Sequence, residues 1–204
     1  MGLSIHYRGA LTDKRAVYQL IDEVEDIAKA MKWKYKVLDQ DWSQRPTATF
    51  DSIAGGGVSI VGELALKGIS FQVHPKCEWI HLVFNASCVI SSPVQVAMSA
   101  SEGYPAHAQW LSVKTQFAGP EAHIAIIRLL QYLKGKYLHD LEVTDEGDYW
   151  ETGNYDTLKA KIEQLGRYID RVGQALGEMD KGSGEEDIVE RIEKLLRDMK
   201  ERGE

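Results

Sequence analysis

His74, Cys77 and His81 fall within eight residues and form the densest set of metal-seeking or nucleophilic side chains in the sequence. Imidazole and thiolate are the donors of a tetrahedral zinc site, and His6 or Glu63 could complete one. The spacing works against it. Cys77 falls in a turn signal, His74 and His81 fall on the strands that turn joins, and neither Cys-x-x-Cys nor His-Glu-x-x-His occurs. No metal and no cofactor are expected. A nucleophile pair built on Cys77 is weaker still, since nothing nearby supplies a helix N-terminus or an orienting acid.

A wider constellation emerges when alternating segments are projected onto two faces. Leu3, Ile5, Tyr7, Ile69, Phe71, Ile80, Leu82, Leu111 and Val113 fall on one side. The other side then holds His6, Arg8, Lys34, Lys36, Glu63, Ser70, Gln72, His74, His81, Asn85, Trp110, Ser112 and Lys114. A face that only meets water is usually rich in Thr, Lys and Glu. Imidazoles, amides and an indole together offer contact area and directional hydrogen bonds. His6, Arg8, Gln72, His74, His81, Asn85, Trp110 and Lys114 are the expected ligand-binding set. His6, Glu63 and His81 are the acid/base candidates if the face carries catalysis.

Other motifs carry less. Gly55-Gly56-Gly57 precedes a strand, whereas a phosphate cradle follows a strand and opens a helix, so a hinge is the reading. Asp145, Glu146, Asp148 and Glu151 lack the alternating spacing of a calcium loop and read as a solvated turn, with Tyr149-Trp150 packed under the appendage or exposed as an anchor for a partner. His123 reads as a satisfied histidine near the core, His107 and His139 as surface residues, and Cys88 as core.

The elements that must position these residues follow from periodicity. Leu3 to Arg8 alternates as a strand. Thr12 or Asp13 is the expected cap of a helix from Asp13 to Met31, with an apolar stripe of Val17, Leu20, Ile21, Val24, Ile27, Ala28 and Met31. Trp33 to Val37 reads as a strand and Asp41 to Gly57 as a loop. Val58 to Leu66, Ile69 to His74 and Glu78 to Ile90 read as an antiparallel meander broken at Gly68 and Pro75-Lys76. Val94, Val96 and Met98 suggest a further strand, Ser99 to Ala108 a mobile loop, and Trp110 to Phe117 another strand. Pro120 opens a second helix, to Tyr137, that is apolar almost all round and so needs a cover. Leu138 to Thr144 reads as an edge strand. The fold class expected is α+β, a mainly antiparallel sheet with two long helices on one face.

Residues 1–154 form that domain, and residues 155–204 form a helical appendage with a linker at 178–184. Leu158, Ile162, Leu165, Ile169, Val172 and Leu176 repeat at heptad spacing, and Ile188, Ile192, Leu195 and Met199 repeat it after the linker. Gly166 and Gly173 each cost about 1 kcal/mol relative to alanine in a helix. The first helix is expected to fold back over the Pro120 helix. The second keeps a claim on a partner through Ile188, Ile192, Leu195 and Met199, in a homodimer or with another protein.

Composition bounds the function classes. The 204 residues carry a net charge of −7, shared between residues 1–150 (14 basic, 17 acidic) and 151–204 (10 basic, 14 acidic), so neither part offers a phosphate-neutralising surface. No nucleic-acid or membrane partner is expected, and a small-molecule ligand remains open. Two cysteines make no disulfide framework, and the N-terminus lacks the apolar core of a signal peptide, so a cytoplasmic protein is expected. Two readings stand. One is a non-enzymatic binding or protein-interaction module using the polar-aromatic face or the heptad helices. The other is a small hydrolase-like or metal-dependent enzyme with its site on that same face.

Overall fold

The computed structural model describes residues 2–53, 56–102, 110–179 and 197. The chain divides into two units, residues 1–165 and 166–204. In order, the elements are β1 (Ser4–Arg8), α1 (Ala16–Ala30), β2 (Lys34–Asp39), β3 (Thr49–Ser52), β4 (Val58–Val61), β5 (Lys67–Gln72), β6 (Ile80–Phe84), β7 (Ile90–Ser91), α2 (Pro93–Glu102), β8 (Leu111–Lys114), α3 (Pro120–Lys136), β9 (Glu142–Asp145), α4 (Tyr149–Thr152) and α5 (Tyr155–Met179). Mixed helices with antiparallel strands make this an α+β fold.

The strands form three sheets. One has the order β8-β1-β9, one β2-β5-β6-β7, and β3 with β4 forms a separate hairpin. β1 is central in the first because Ile5 pairs with Val113 on one side and Asp145 on the other. Two joints tie that sheet to the four-stranded one. Beyond β1, Leu11 N–H donates to the Cys88 carbonyl and Ile90 N–H to the Gly9 carbonyl, both at 2.9 Å. At the other end the Glu78 N–H meets the Lys114 carbonyl at 3.3 Å.

A main core gathers Ile5 and Tyr7 of β1, Leu20, Ile21 and Val24 of α1, Ile69 and Phe71 of β5, Ile80 and Leu82 of β6, and Ile126, Ile127 and Leu130 of α3. Each side chain of this size contributes about 1.5–3 kcal/mol on full burial. α1 and α3 are also joined through Glu23, whose carboxylate accepts bonds from Lys136, Tyr132 and Tyr137. A second core of Leu38, Ala48, Leu66, Val83, Val96 and Ala97 lies under α2 and the hairpin. Register puts Leu38, Gly68 and Val83 in one row and Lys36, Ser70 and His81 in the next on that face. One half of the polar sheet face is therefore covered, and only the half around His81 stays accessible.

Several expected boundaries move for identifiable reasons. Asp13 does not cap α1: its carboxylate accepts the Arg15 N–H at 2.9 Å, so a turn precedes the helix. The expected loop at 41–57 contains β3, and Gly56 and Gly57 lie within its hairpin, with Gly56 at φ +86° in a turn rather than a hinge. Gly68 does not break the meander. It lies inside β5 because the neighbouring strand comes so near that a Cβ there would meet the Leu82 carbonyl oxygen at 2.2 Å. The long strand from Glu78 ends at Phe84, where Asn85 Oδ1 accepts the Ser87 and Val89 N–H groups and Cys88 adopts φ +65°, so Cys88 is a half-buried turn residue.

The largest revision is α2. Val94, Val96 and Met98 lie on a helix that also takes in the first residues of the expected mobile loop; residues 103–109 lie outside the described ones. Ser92 Oγ accepts the Gln95 N–H at 3.1 Å and Gln95 Oε1 accepts the Ser92 N–H at 3.2 Å, a capping box followed by Pro93 in the first turn.

α3 begins at Pro120 as expected, and Tyr149, Trp150, Leu158, Ile162 and Leu165 join the core that it enters. Leu158 is fully buried, whereas Ile169, further along the same seam, is exposed. Nothing lies within 4 Å of a Cβ built at Gly166 or Gly173. Ile188, Ile192, Leu195 and Met199 lie outside the described residues. No helix among the described residues is long and apolar enough to cross a membrane.

Candidate functional site

The accessible half of the four-stranded sheet meets the edge of the three-stranded one in a pocket of about 310 Å³, lined by Glu78, Trp79, His81, Ser92, Gln95, Trp110, Leu111 and Ser112. That volume suits a small ligand. β6 supplies His81, the turn before it supplies Glu78 and Trp79, the α2 capping box supplies Ser92 and Gln95, and β8 with its preceding residue supplies the rest.

His81 is the most constrained member. Its Nδ1 shares a 2.9 Å hydrogen bond with the hydroxyl of Ser70, its register partner on β5. Nε2 finds no hydrogen-bonding partner among the described residues, so it is the nitrogen left for the pocket. Burial pushes the imidazole pKa below its usual value, which favours the neutral ring. The backbone of His81 is gripped by Tyr7, whose buried hydroxyl accepts the His81 N–H at 2.9 Å and donates to the His81 carbonyl at 3.2 Å. β7 is only two residues long and pairs with Val83 and Phe84, so no strand reaches His81 on that side. The phenol takes the place of the missing strand.

The tryptophans give the pocket its apolar surface. Trp79 is 37% and Trp110 39% exposed, high for the side chain with the most apolar area to bury. The Arg8 guanidinium lies 4.6 Å from the Trp110 ring centroid and is held there by a bidentate pair with Glu142. Glu78 is fixed by the Lys114 N–H, which donates to its Oε2 at 2.8 Å. The Gln95 amide donates to the Trp110 carbonyl at 3.5 Å.

Of the residues singled out by sequence, His81, Trp110 and Ser112 meet in the pocket, with Arg8 packed on its tryptophan. His6 does not line it; its Nε2 lies 3.6 Å from Glu146 Oε1 on the face of the three-stranded sheet. Glu63 is exposed beyond β4, where its backbone pairs with residues 47 and 48, so the proposed acid/base set His6, Glu63 and His81 does not assemble. Gln72 and Asn85 are spent on turns, Gln72 through the Cys77 carbonyl at 2.7 Å. His74 accepts the Lys76 N–H, and Lys114 lends the pocket its backbone rather than its side chain.

Cys77 belongs to the main core, where burial, with Glu78 adding to it, pushes its thiol up to about 12. It is neither nucleophile nor ligand. The set His74, Cys77 and His81 therefore disperses, and no group of three or more His, Cys, Asp or Glu among the described residues could hold a metal ion.

One buried cluster was invisible in the sequence. Thr115 Oγ1 and His123 Nδ1 share a 2.8 Å hydrogen bond, and His123 Nε2 lies 2.9 Å from Asp145 Oδ1, close enough for an ion pair though out of line for a hydrogen bond. The order of groups is that of a nucleophile relay, but Thr115 and His123 are 0% exposed and no substrate reaches them. The Asp145 carboxylate instead accepts the backbone N–H groups of Gly147, Tyr149 and Trp150 at 2.7–3.0 Å. Burial disfavours its charge, but the His123 imidazole and these backbone donors outweigh that and lower its pKa. The expected solvated turn is thus an anchor joining β9, α3 and α4.

Glu78, Trp79, Ser92 and Gln95 are pocket residues that sequence reasoning missed, and Leu111, assigned to the opposite face, also lines it. Trp79 lies two residues before His81, in step with that face, and Ser92-Pro93-Val94-Gln95 spells a capping box. The chain matches no protein-family model, no curated protein and no solved structure.

Proposed function

We propose that this protein is a cytoplasmic, non-enzymatic binding module that takes a small-molecule ligand in the pocket between Trp79, His81 and Trp110. In this reading α1 and α3 back the strands from one face, and the opposite face is given to binding. The observation that carries it is the convergence of two half-exposed indoles with an imidazole whose backbone and Nδ1 are both fixed while Nε2 stays unpartnered. Preorganised walls of this kind lower the ordering cost of binding. Catalysis would need an activated nucleophile or a coupled acid/base pair, and among the described residues no hydrogen bond joins Glu78 to His81 and no hydroxyl or thiol in the pocket is paired with a base.

The test is a screen of small polar and aromatic compounds read by NMR at the indole N–H signals of Trp79 and Trp110. Compounds that bind move both signals, and Trp79→Ala weakens them at least tenfold. The reading fails if no compound moves those signals, or if binding is equal in Trp79→Ala. The heptad face of α5 is proposed to pair with a second copy of the chain, supported by the exposed Ile169 and the open space beside Gly166 and Gly173. Sedimentation of wild type against Ile169→Glu decides it: a dimer lost in the variant supports pairing, and a wild-type monomer refutes it.

A further inference from the structure

Resting on that binding reading, we infer that the ligand is cationic: the pocket is built to hold an ammonium group, quaternary or methylated, against the two tryptophans and the Glu78 carboxylate. Among the described residues its lining contains a single charged one, Glu78, and it is acidic. An indole face carries the negative end of the ring quadrupole and attracts a cation, more strongly as the pair is desolvated. Trp110 already does so within the chain, since Arg8 rests over it at 4.6 Å. An indole has two faces, and Arg8 occupies one.

The hydrogen-bond ledger favours the same charge. Three donors beside the pocket are engaged, the Gln95 amide with the Trp110 carbonyl, the Gln95 N–H with Ser92 Oγ and the Lys114 N–H with Glu78 Oε2, and the indole N–H groups and the Ser112 hydroxyl that remain carry no charge to pair with an anion. A cation needs acceptors, and Glu78 keeps Oε1 available, because the Lys114 N–H donates to its Oε2. His81 adds no opposing charge, because burial favours its neutral form. The net charge of −7 draws cations toward the molecule at long range.

The experiment titrates three probes of one shape into the full chain: choline, its neutral carbon isostere 3,3-dimethyl-1-butanol, and the anion 3,3-dimethylbutanoate, at matched ionic strength. The readout is the Trp79 and Trp110 indole N–H signals. Choline is expected to move both and to bind at least tenfold more tightly than either other probe. Glu78→Gln, which keeps an oxygen for the Lys114 N–H, is expected to weaken choline at least fivefold while leaving the thermal midpoint in place. If the isostere or the anion binds as well as choline, or Glu78→Gln changes nothing, the cationic assignment is overturned and the pocket remains a binding site. If none of the three moves the indole signals, the cationic assignment is overturned, and the compound screen decides the binding reading separately.

Discussion

Replacing Tyr7 with Phe removes one oxygen from the centre of the molecule and leaves the ring volume unchanged, so no cavity contributes to the outcome. That oxygen accepts the His81 N–H and donates to the His81 carbonyl, and Tyr7 is 0% exposed. Water cannot readily replace it. Each buried polar group left without a partner costs about 1–3 kcal/mol, and the carbonyl retains a second lone pair, so the expected loss is about 2–4 kcal/mol. Against a total stability of about 5–15 kcal/mol this is large. Equilibrium urea denaturation reads it as a lower midpoint with an unchanged slope, because the surface exposed on unfolding is the same. Burial, partly offset by the His81 backbone, pushes the Tyr7 pKa above its ordinary value of 10.0. A raised folded-state pKa means the tyrosine's contribution is intact below the unfolded value and is lost as pH climbs above it. Wild type should therefore weaken above about pH 10, and Tyr7→Phe should weaken less steeply there. The His81 amide signal should shift, and the choline affinity of the pocket should fall because β6 is no longer pinned. A loss below about 0.5 kcal/mol with an unmoved His81 amide would show that the phenol does not stand in for a strand.

Asp145→Asn keeps the shape of the anchor but turns an NH2 group toward either Gly147 and His123 or Tyr149 and Trp150. We expect a loss of about 1–3 kcal/mol, the cost of leaving buried backbone donors facing an NH2 group instead of an acceptor, measured by thermal denaturation near neutral pH. The lowered pKa of Asp145 means its stabilisation is present above the ordinary carboxylate range and is lost as pH falls through the folded value, so the variant's deficit should shrink in acid. Glu23 is partly desolvated, yet Lys136, Tyr132 and Tyr137 hold its carboxyl down at about 2. Its link between α1 and α3 should persist to pH 4 and fail as pH drops toward 2, and Glu23→Gln should flatten the melting temperature over that window. Ser92→Ala removes one arm of the α2 capping box and should cost about 1 kcal/mol by urea denaturation. Because Gln95 then loses its anchor, the Trp110 indole signal should broaden or shift; an unchanged signal would separate the cap from the pocket.

The amino-acid sequence by itself determined the elements whose signal is local and periodic. The stripe from Val17 to Ala28 has one face to bury and fixes α1 within three residues of the expected start, and Gly119-Pro120 sets the start of α3. Alternation from Leu3 to Arg8 identifies β1. His81, Trp110 and Ser112 were legible as one polar-aromatic face for the same reason, since period two is a property of the strand alone.

Tertiary structure decided which strands share a sheet and what lies on each face. Gly68 reads as a break in one dimension, but in three it is the point where two backbones approach too closely for a side chain. Asp145 reads as one acid among four, and only the folding of β9 against α3 aims three backbone donors and an imidazole at it. Tyr7 reads as one more inward aromatic, and its role exists only because β7 stops short of His81. The pocket belongs to this second class. Its walls come from positions 78 to 112, on two sheets and a helix cap, and their convergence is set by long-range packing that no local period encodes.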